Sequence, residues 1–240
     1  MSSRPKVVVI LGPTASGKSA LAVQLARKFH GEVISADSRQ VYRGVDIGSD
    51  KVPQDEIFNY QFPISKNKKR KEGYFYKGVR HHLIDVASPK KTFTVTQYKK
   101  LAEKAIRDIW RRGNPPKFRD AKLRRARVPI IAGGTGLYID ALINDWKLPR
   151  VKPNLQLRKE LEDKPAAELF ERLKKLDLAR AGNIDRYNKR RLVRALEIAI
   201  QTEKSSHSNI LQNVGMSKYE VLKIGIKIPL EELQKKIKIR

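Results

Sequence analysis

The chain has no cysteine, so it can form neither a disulfide nor a thiolate metal site. Long apolar runs are also missing. The stretch Val7–Leu11 is too short for the core of a signal peptide and far too short to cross a bilayer, and nothing later spans one. These absences make a cytoplasmic protein without membrane contact the expectation. There is no internal repeat and no low-complexity segment. Acidic residues are scarce: 25 Asp and Glu stand against 52 Lys and Arg, a formal net charge of +27. Such a field attracts polyanions, of which nucleic acid is the commonest. A generally basic surface is the other reading, and composition does not choose between them. The 240 residues, 40% hydrophobic and 32% charged, suffice for one large domain or a domain with a sizeable insertion.

The apolar pattern divides the chain. Lys6–Leu11 reads as a buried parallel strand, Ser16–Phe29 as a helix with Leu21, Ala22, Leu25 and Phe29 at helical spacing, and Val33–Ala36 as a second strand. This strand–loop–helix–strand unit opens an α/β sheet. Further strands are expected at Leu83–Val86, Val128–Ala132 and Tyr219–Ile228, and helices at Val95–Trp110 and from Leu230 to the end. Between them, Leu155–Ile200 is helical throughout, with breaks near Pro165 and Gly182-Asn183. The expected architecture is therefore an α/β, P-loop NTPase-like parallel sheet with an all-helical insertion domain. The core takes residues 1–140 and 206–240, and the insertion 141–205. The basic stretches Lys66–Lys71 and Lys117–Arg127 read as solvated loops or as extra contacts to a polyanion. His81 and His82, adjacent on a strand, would face opposite sides and make a poor metal pair. Tyr74, Phe75 and Tyr76 read as core or loop anchors rather than base-stacking groups.

Gly12-Pro13-Thr14-Ala15-Ser16-Gly17-Lys18-Ser19 fits the full G-x-x-x-x-G-K-[ST] spacing, with a strand before it and a helix after it. Glycines let backbone N–H groups converge on phosphate oxygens, the helix start adds a positive dipole end, and Lys18 adds a full charge. The Ser19 hydroxyl suits Mg²⁺. This motif fixes a phosphate site and leaves the chemistry open. The loop can hold a nucleotide whose phosphoryl group is transferred, or a diphosphate that departs when a carbon–oxygen bond breaks.

Asp37 follows the second strand, in Ser35-Ala36-Asp37-Ser38-Arg39-Gln40-Val41-Tyr42. In an open α/β sheet the carboxyl ends of neighbouring strands face one crevice. Asp37 can therefore act as a general base over the phosphates, or it can cap the next turn.

Five segments in order, Gly12–Ser19, Ile34–Tyr42, His81–Asp85, Gly133–Tyr138 (Gly-Gly-Thr-Gly-Leu-Tyr) and Arg190–Glu197, resemble the tRNA dimethylallyltransferase family over nearly the whole chain. The resemblance implies that Gly12 to Ser19 bind dimethylallyl diphosphate rather than a nucleotide, and that Mg²⁺ is the cofactor. Asp37 would contact the amino group of the target adenine, with Ser38, Arg39 and Gln40 lining its pocket and Thr135 at the reaction centre. Contacts to tRNA would come from Arg158 and from the stretch Arg190, Arg191, Leu192, Val193 and Arg194, with Arg190 standing where the family usually has glutamine. The implied partner is the anticodon loop of tRNA, whose adenosine 3′ of the anticodon can be flipped out of its stack. A monomer is the expected state. The family normally continues past Arg240, and Arg240 matches an arginine that contacts diphosphate in relatives. Three other functions compete: an adenylate isopentenyltransferase working on free nucleotide, a P-loop small-molecule kinase, and a non-catalytic RNA-binding relative.

Overall fold

The computed structural model describes residues 4–55, 73–113, 127–149, 151–203 and 217–238. They fall into two compact units, Met1–Trp146 with Met216–Arg240, and Lys147–Gly215. In chain order the first unit contributes β1 (Lys6–Leu11), α1 (Lys18–Lys28), β2 (Glu32–Ser35), β3 (Tyr74–Tyr76), β4 (Val79–His82), α2 (Val95–Gly113), β5 (Pro129–Gly133) and α3 (Gly136–Ile143). The second unit supplies α4 (Leu155–Glu162), α5 (Ala166–Leu176), α6 (Leu178–Ala181) and α7 (Lys189–Glu203), and the chain then returns to the first through β6 (Glu220–Gly225) and α8 (Leu230–Lys238).

The sheet runs β3-β4-β2-β5-β1-β6. All pairings are parallel except the β3–β4 hairpin. Strands β1, β2 and β5 are short Val/Ile-rich runs, as strands covered on both faces should be. In β5 every residue is buried. One face packs α1 through Ala22, Val23 and Ala26. The other packs α2 and α3 through Tyr98, Ile106, Ile109, Tyr138 and Leu142. There Tyr98 stacks on Tyr138 at 4.2 Å between ring centroids. β1 and β2 are consecutive in the chain, yet β5 lies between them. Their carboxyl ends therefore diverge around β5 and open a crevice.

Three expectations need correction. The strand near residue 80 lies at Val79–His82, not Leu83–Val86. Leu83 and Asp85 take φ of 63° and 56°, which end an extended run. Tyr74–Tyr76 forms the antiparallel edge strand β3, joined to β4 by Lys77-Gly78 with φ of 50° and 75°, the left-handed pair of a tight hairpin turn. Residues 141–146 stay with the sheet unit, because Leu142 and Ile143 are buried in its core. The return boundary at 205, the stretches 66–71 and 117–126, and Arg240 lie outside the described residues.

The two histidines do separate. His81 is buried, set edge-on to Tyr74 and Tyr76, and burial pulls its pKa down to about 4. His82 donates through Nε2 to Glu32 at 2.7 Å. Glu32, 5% exposed, also takes both arms of Arg112 (2.8 and 2.9 Å) and reaches Arg127 at 3.3 Å. Burial alone would push this carboxyl up. The hydrogen bonds from His82 and Arg112, with the Arg112 charge, outweigh that and hold the pKa at about 2, against an ordinary 4.5. A depressed acid contributes stability above its ordinary pKa and loses it as pH falls towards the folded value. Stability should therefore drop by roughly 2–4 kcal/mol between pH 4.5 and 2 through this group. Urea titrations across that window should show the slope, and Glu32→Gln should flatten it.

In the helical unit, Leu161, Leu169, Leu173, Leu192 and Leu196 form one core. Glu197 is fully buried beside it. Its carboxylate accepts from Arg158 at 2.9 and 2.8 Å, from Asn154 N–H at 2.7 Å, and from Arg194. Burial raises this acid, and the bonds from Arg158, Asn154 and Arg194 more than reverse the effect. Breaking a buried pair strands the remaining charges. Because both arginines reach solvent, Glu197→Ala should cost about 3 kcal/mol, the low end of that range, measured by urea unfolding.

Candidate functional site

Three strand ends meet at one rim. After β1 comes the glycine-rich turn. Ala15 (φ 62°) and Gly17 (φ 85°) turn the backbone left-handed just before α1 begins at Lys18. Ser16 N–H donates to Pro13 O at 3.3 Å, and the Lys18 ammonium folds back onto the same carbonyl. A side chain at Gly12 would crowd Ile226 O at 3.1 Å and the Ser16 hydroxyl at 2.8 Å, so glycine lets the loop sit close against the end of β6. The turn leaves N–H groups and the start of an eleven-residue helix facing the crevice.

After β2 comes Asp37. One carboxylate oxygen accepts from Arg39 N–H at 2.8 Å and Gln40 N–H at 3.3 Å, so the residue does cap a turn. This engages Oδ1 alone, and the side chain still lines the cleft. Strand β5 ends at Gly133, whose missing Cβ would lie 2.2 Å from Ala36 O. Only glycine lets the ends of β2 and β5 come this close. Thr135 then ties the two loops together: its N–H donates to Ala36 O at 3.0 Å, and its hydroxyl accepts from Ser38 N–H at 3.0 Å. Burial, followed by the neighbouring Tyr42 and Asp37, raises the Tyr138 hydroxyl below this rim, which keeps it neutral.

The cleft holds about 910 Å³ and is lined by the P-loop, Asp37 to Gln40 and Gly133 to Thr135. The structure thus brings together Thr14 to Ser19, Asp37, Ser38, Arg39, Gln40 and Thr135, all from the first unit. Gln40 differs from expectation in one respect. Its amide donates to Ser49 O and Asp50 O (3.2 and 2.9 Å) and accepts from the Ser35 hydroxyl at 2.8 Å, so it pins the 46–50 loop to β2.

Four cations at this cleft escape a reading of the sequence alone: Arg27, Lys51, Lys77 and Lys236. Lys51 is 4% exposed and holds Tyr42 O, Asp46 and Asp85 at 2.8, 2.7 and 2.6 Å. Burial pulls its pKa down, yet the two carboxylates lift it above the ordinary value. Arg27 clamps Lys77 O at 3.1 and 2.6 Å. None of the four carries a motif; only folding brings them to the P-loop.

In the helical unit, Arg190 and Arg191 are exposed at the start of α7, where Asn188 caps Arg191 N–H at 3.2 Å. Arg158 and Arg194 are bound to Glu197. Leu192 and Val193 are 0% and 4% exposed, so their side chains are closed to any RNA and belong to the helical core. Tyr187, 80% exposed beside Arg186, is a flat face the sequence reading overlooked.

A glycine turn at the mouth of a mostly parallel sheet, backed by a lysine and a helix start, defines an α/β protein with a P-loop-like fold. More narrowly, the chain belongs to the IPP transferase family, whose model matches residues 40–240. It is 36% identical over 235 residues to the tRNA dimethylallyltransferase of Anoxybacillus flavithermus, covering 98% of this chain and 65% of the relative. It resembles the full-length tRNA isopentenylpyrophosphate transferase of Bacillus halodurans (TM-score 0.56, 34% identity, 98% of this chain and 64% of that one). It also resembles a eukaryotic dimethylallyltransferase acting on tRNA (TM-score 0.63, 25% identity, 98% and 52%). The chain thus spans less than two thirds of the length of these proteins. Among the described residues no helix is long and apolar enough to cross a membrane.

Proposed function

We propose that the protein transfers a dimethylallyl group from dimethylallyl diphosphate to the exocyclic amine of the adenosine 3′ of a tRNA anticodon, releasing diphosphate. The observation that carries this reading is the convergence of the P-loop, Asp37 and Thr135 on three neighbouring strand ends around one cleft. The names of the relatives support the donor and the acceptor.

The adenine amine is a weak nucleophile because its lone pair is delocalised into the ring. Held in line with the allylic carbon, it forms the new C–N bond as the C–O bond to diphosphate breaks, and the electron pair leaves with the diphosphate. Asp37 Oδ2, outside the turn that Oδ1 caps, takes the amine proton. Lys18 and the loop N–H groups stabilise charge on the leaving oxygens. Thr135 accepts from Ser38 N–H, which leaves its own hydroxyl hydrogen to orient the reacting groups.

Mg²⁺ fits this site as a phosphate-borne ion. It usually keeps several waters and takes one or two protein oxygens beside phosphate. Ser19 lines the cleft, and no group of three or more potential acidic, histidine or cysteine ligands occurs among the described residues. When bound, the ion supplies positive charge against the diphosphate, with Ser19 as the residue that would hold it.

For the RNA, Arg190 and Arg191 are the contacts this reading favours. They are exposed on a helix start, where an anion is also drawn by the helix dipole. Arg158 and Arg194 position this helix through Glu197. Labelled dimethylallyl diphosphate offered with tRNA or with free AMP separates the readings. Label entering tRNA and not AMP is expected. Transfer to AMP alone would make the protein an adenylate isopentenyltransferase.

A further inference from the structure

Helix α2 carries six basic and two acidic residues. Lys99 pairs with Asp145 and Glu103, and Arg112 pairs with Glu32. The remaining four, Lys100, Lys104, Arg107 and Arg111, are spaced by four, three and four residues, so they share one face of the helix, and all four are exposed. Within the described residues none of them is bound in an ion pair. Like charges three and four apart repel and weaken a helix. Asp108, four residues after Lys104 and three before Arg111, offsets part of this repulsion, and the stripe keeps an excess of positive charge that suits an external anion.

The stripe borders a second groove, of about 580 Å³, between α2 and the carboxyl end of β4 with the residues that follow it. Lys104 and Arg111 reach into it beside Arg80, and Leu83, Val86 and Leu101 line part of the wall. Among the described residues its one acidic lining residue is Asp108. As the crossover between parallel strands β4 and β5, α2 runs back along the sheet, so the stripe leads away from the strand ends that carry the cleft.

We infer that this face of α2, with the groove beside it, is a second RNA-binding surface, one that grips the sugar–phosphate backbone of the acceptor outside the reacting loop. A spaced row of cations with a partly apolar wall suits phosphates in series with ribose against the wall. A row of backbone contacts adds affinity without reading sequence. The inference rests on tRNA as the acceptor but is independent of the chemistry.

The test measures tRNA binding to the whole chain, without donor, over a series of salt concentrations. The comparison is with the triple variant Lys100→Gln, Lys104→Gln, Arg111→Gln. Arg107 is kept because its charge acts on buried Tyr219. The variant should bind at least about tenfold more weakly, and its plot of log affinity against log salt should be shallower by about two to three. Its KM for tRNA should rise while kcat at saturating tRNA stays the same. Unchanged affinity and slope would overturn the surface alone. So would a variant that keeps its tRNA affinity while losing affinity for phosphatidylserine vesicles. A wild-type chain that binds no tRNA would overturn both this surface and the tRNA acceptor.

Discussion

Asp37→Asn should slow prenyl transfer by about 10²–10⁴-fold, the usual worth of a positioned general base, while tRNA affinity stays unchanged. Asparagine is the informative replacement. Asp37 would serve two purposes: Oδ1 caps the turn by accepting from Arg39 and Gln40, and the second oxygen, outside that turn on a residue that lines the cleft, would take the proton. Asparagine can keep the cap and the volume but cannot take a proton. Asp37→Ala removes both functions. It should lose the same activity and about 1 kcal/mol of stability besides, from two backbone N–H groups left without their acceptor. Single-turnover rates together with thermal melts separate the two roles. If the asparagine variant turned over at the wild-type rate, Asp37 would be a turn residue and the proton would leave by another route.

Lys18→Met should lower the single-turnover rate by about 10²–10³-fold, comparable to removing one charged or hydrogen-bonding group from a site that stabilises developing charge. Methionine keeps much of the side chain's length and its packing, and removes the ammonium that folds onto Pro13 O. Free diphosphate, the product, should also inhibit this variant less than wild type, because the same charge holds the leaving group. tRNA affinity should not change. A variant with normal turnover but weaker donor binding would mean that Lys18 contacts ground state and transition state alike.

Local rules made the centre of the fold legible. The P-loop could be read because its spacing sits between a β-branched run and a helical one, and α2 because apolar residues recur over its nineteen positions. Position 80 misled, because Leu-Ile-Asp-Val looks extended while the backbone turns left-handed at Leu83 and Asp85. The available clue was Lys77-Gly78, a hairpin turn between Tyr74–Tyr76 and Val79–His82. Within 190–194, helical periodicity could have split the stretch, since Leu192, Val193, Ala195 and Leu196 form the inward face. Lys51 and Gln40 were beyond sequence reasoning. Their partners, Asp85 for Lys51 and the backbone of residues 49 and 50 for Gln40, are set by how the loops fold over the strand ends.

The account depends on the P-loop holding a diphosphate that leaves, rather than a phosphoryl group that moves. Mass spectrometry of nucleosides from tRNA incubated with the protein, Mg²⁺ and dimethylallyl diphosphate tests this most directly. The account predicts one adenosine, 3′ of the anticodon, heavier by a single five-carbon prenyl unit, with diphosphate released in equal amount. Unmodified tRNA, together with hydrolysis or transfer of the terminal phosphate when ATP is supplied instead, would contradict it.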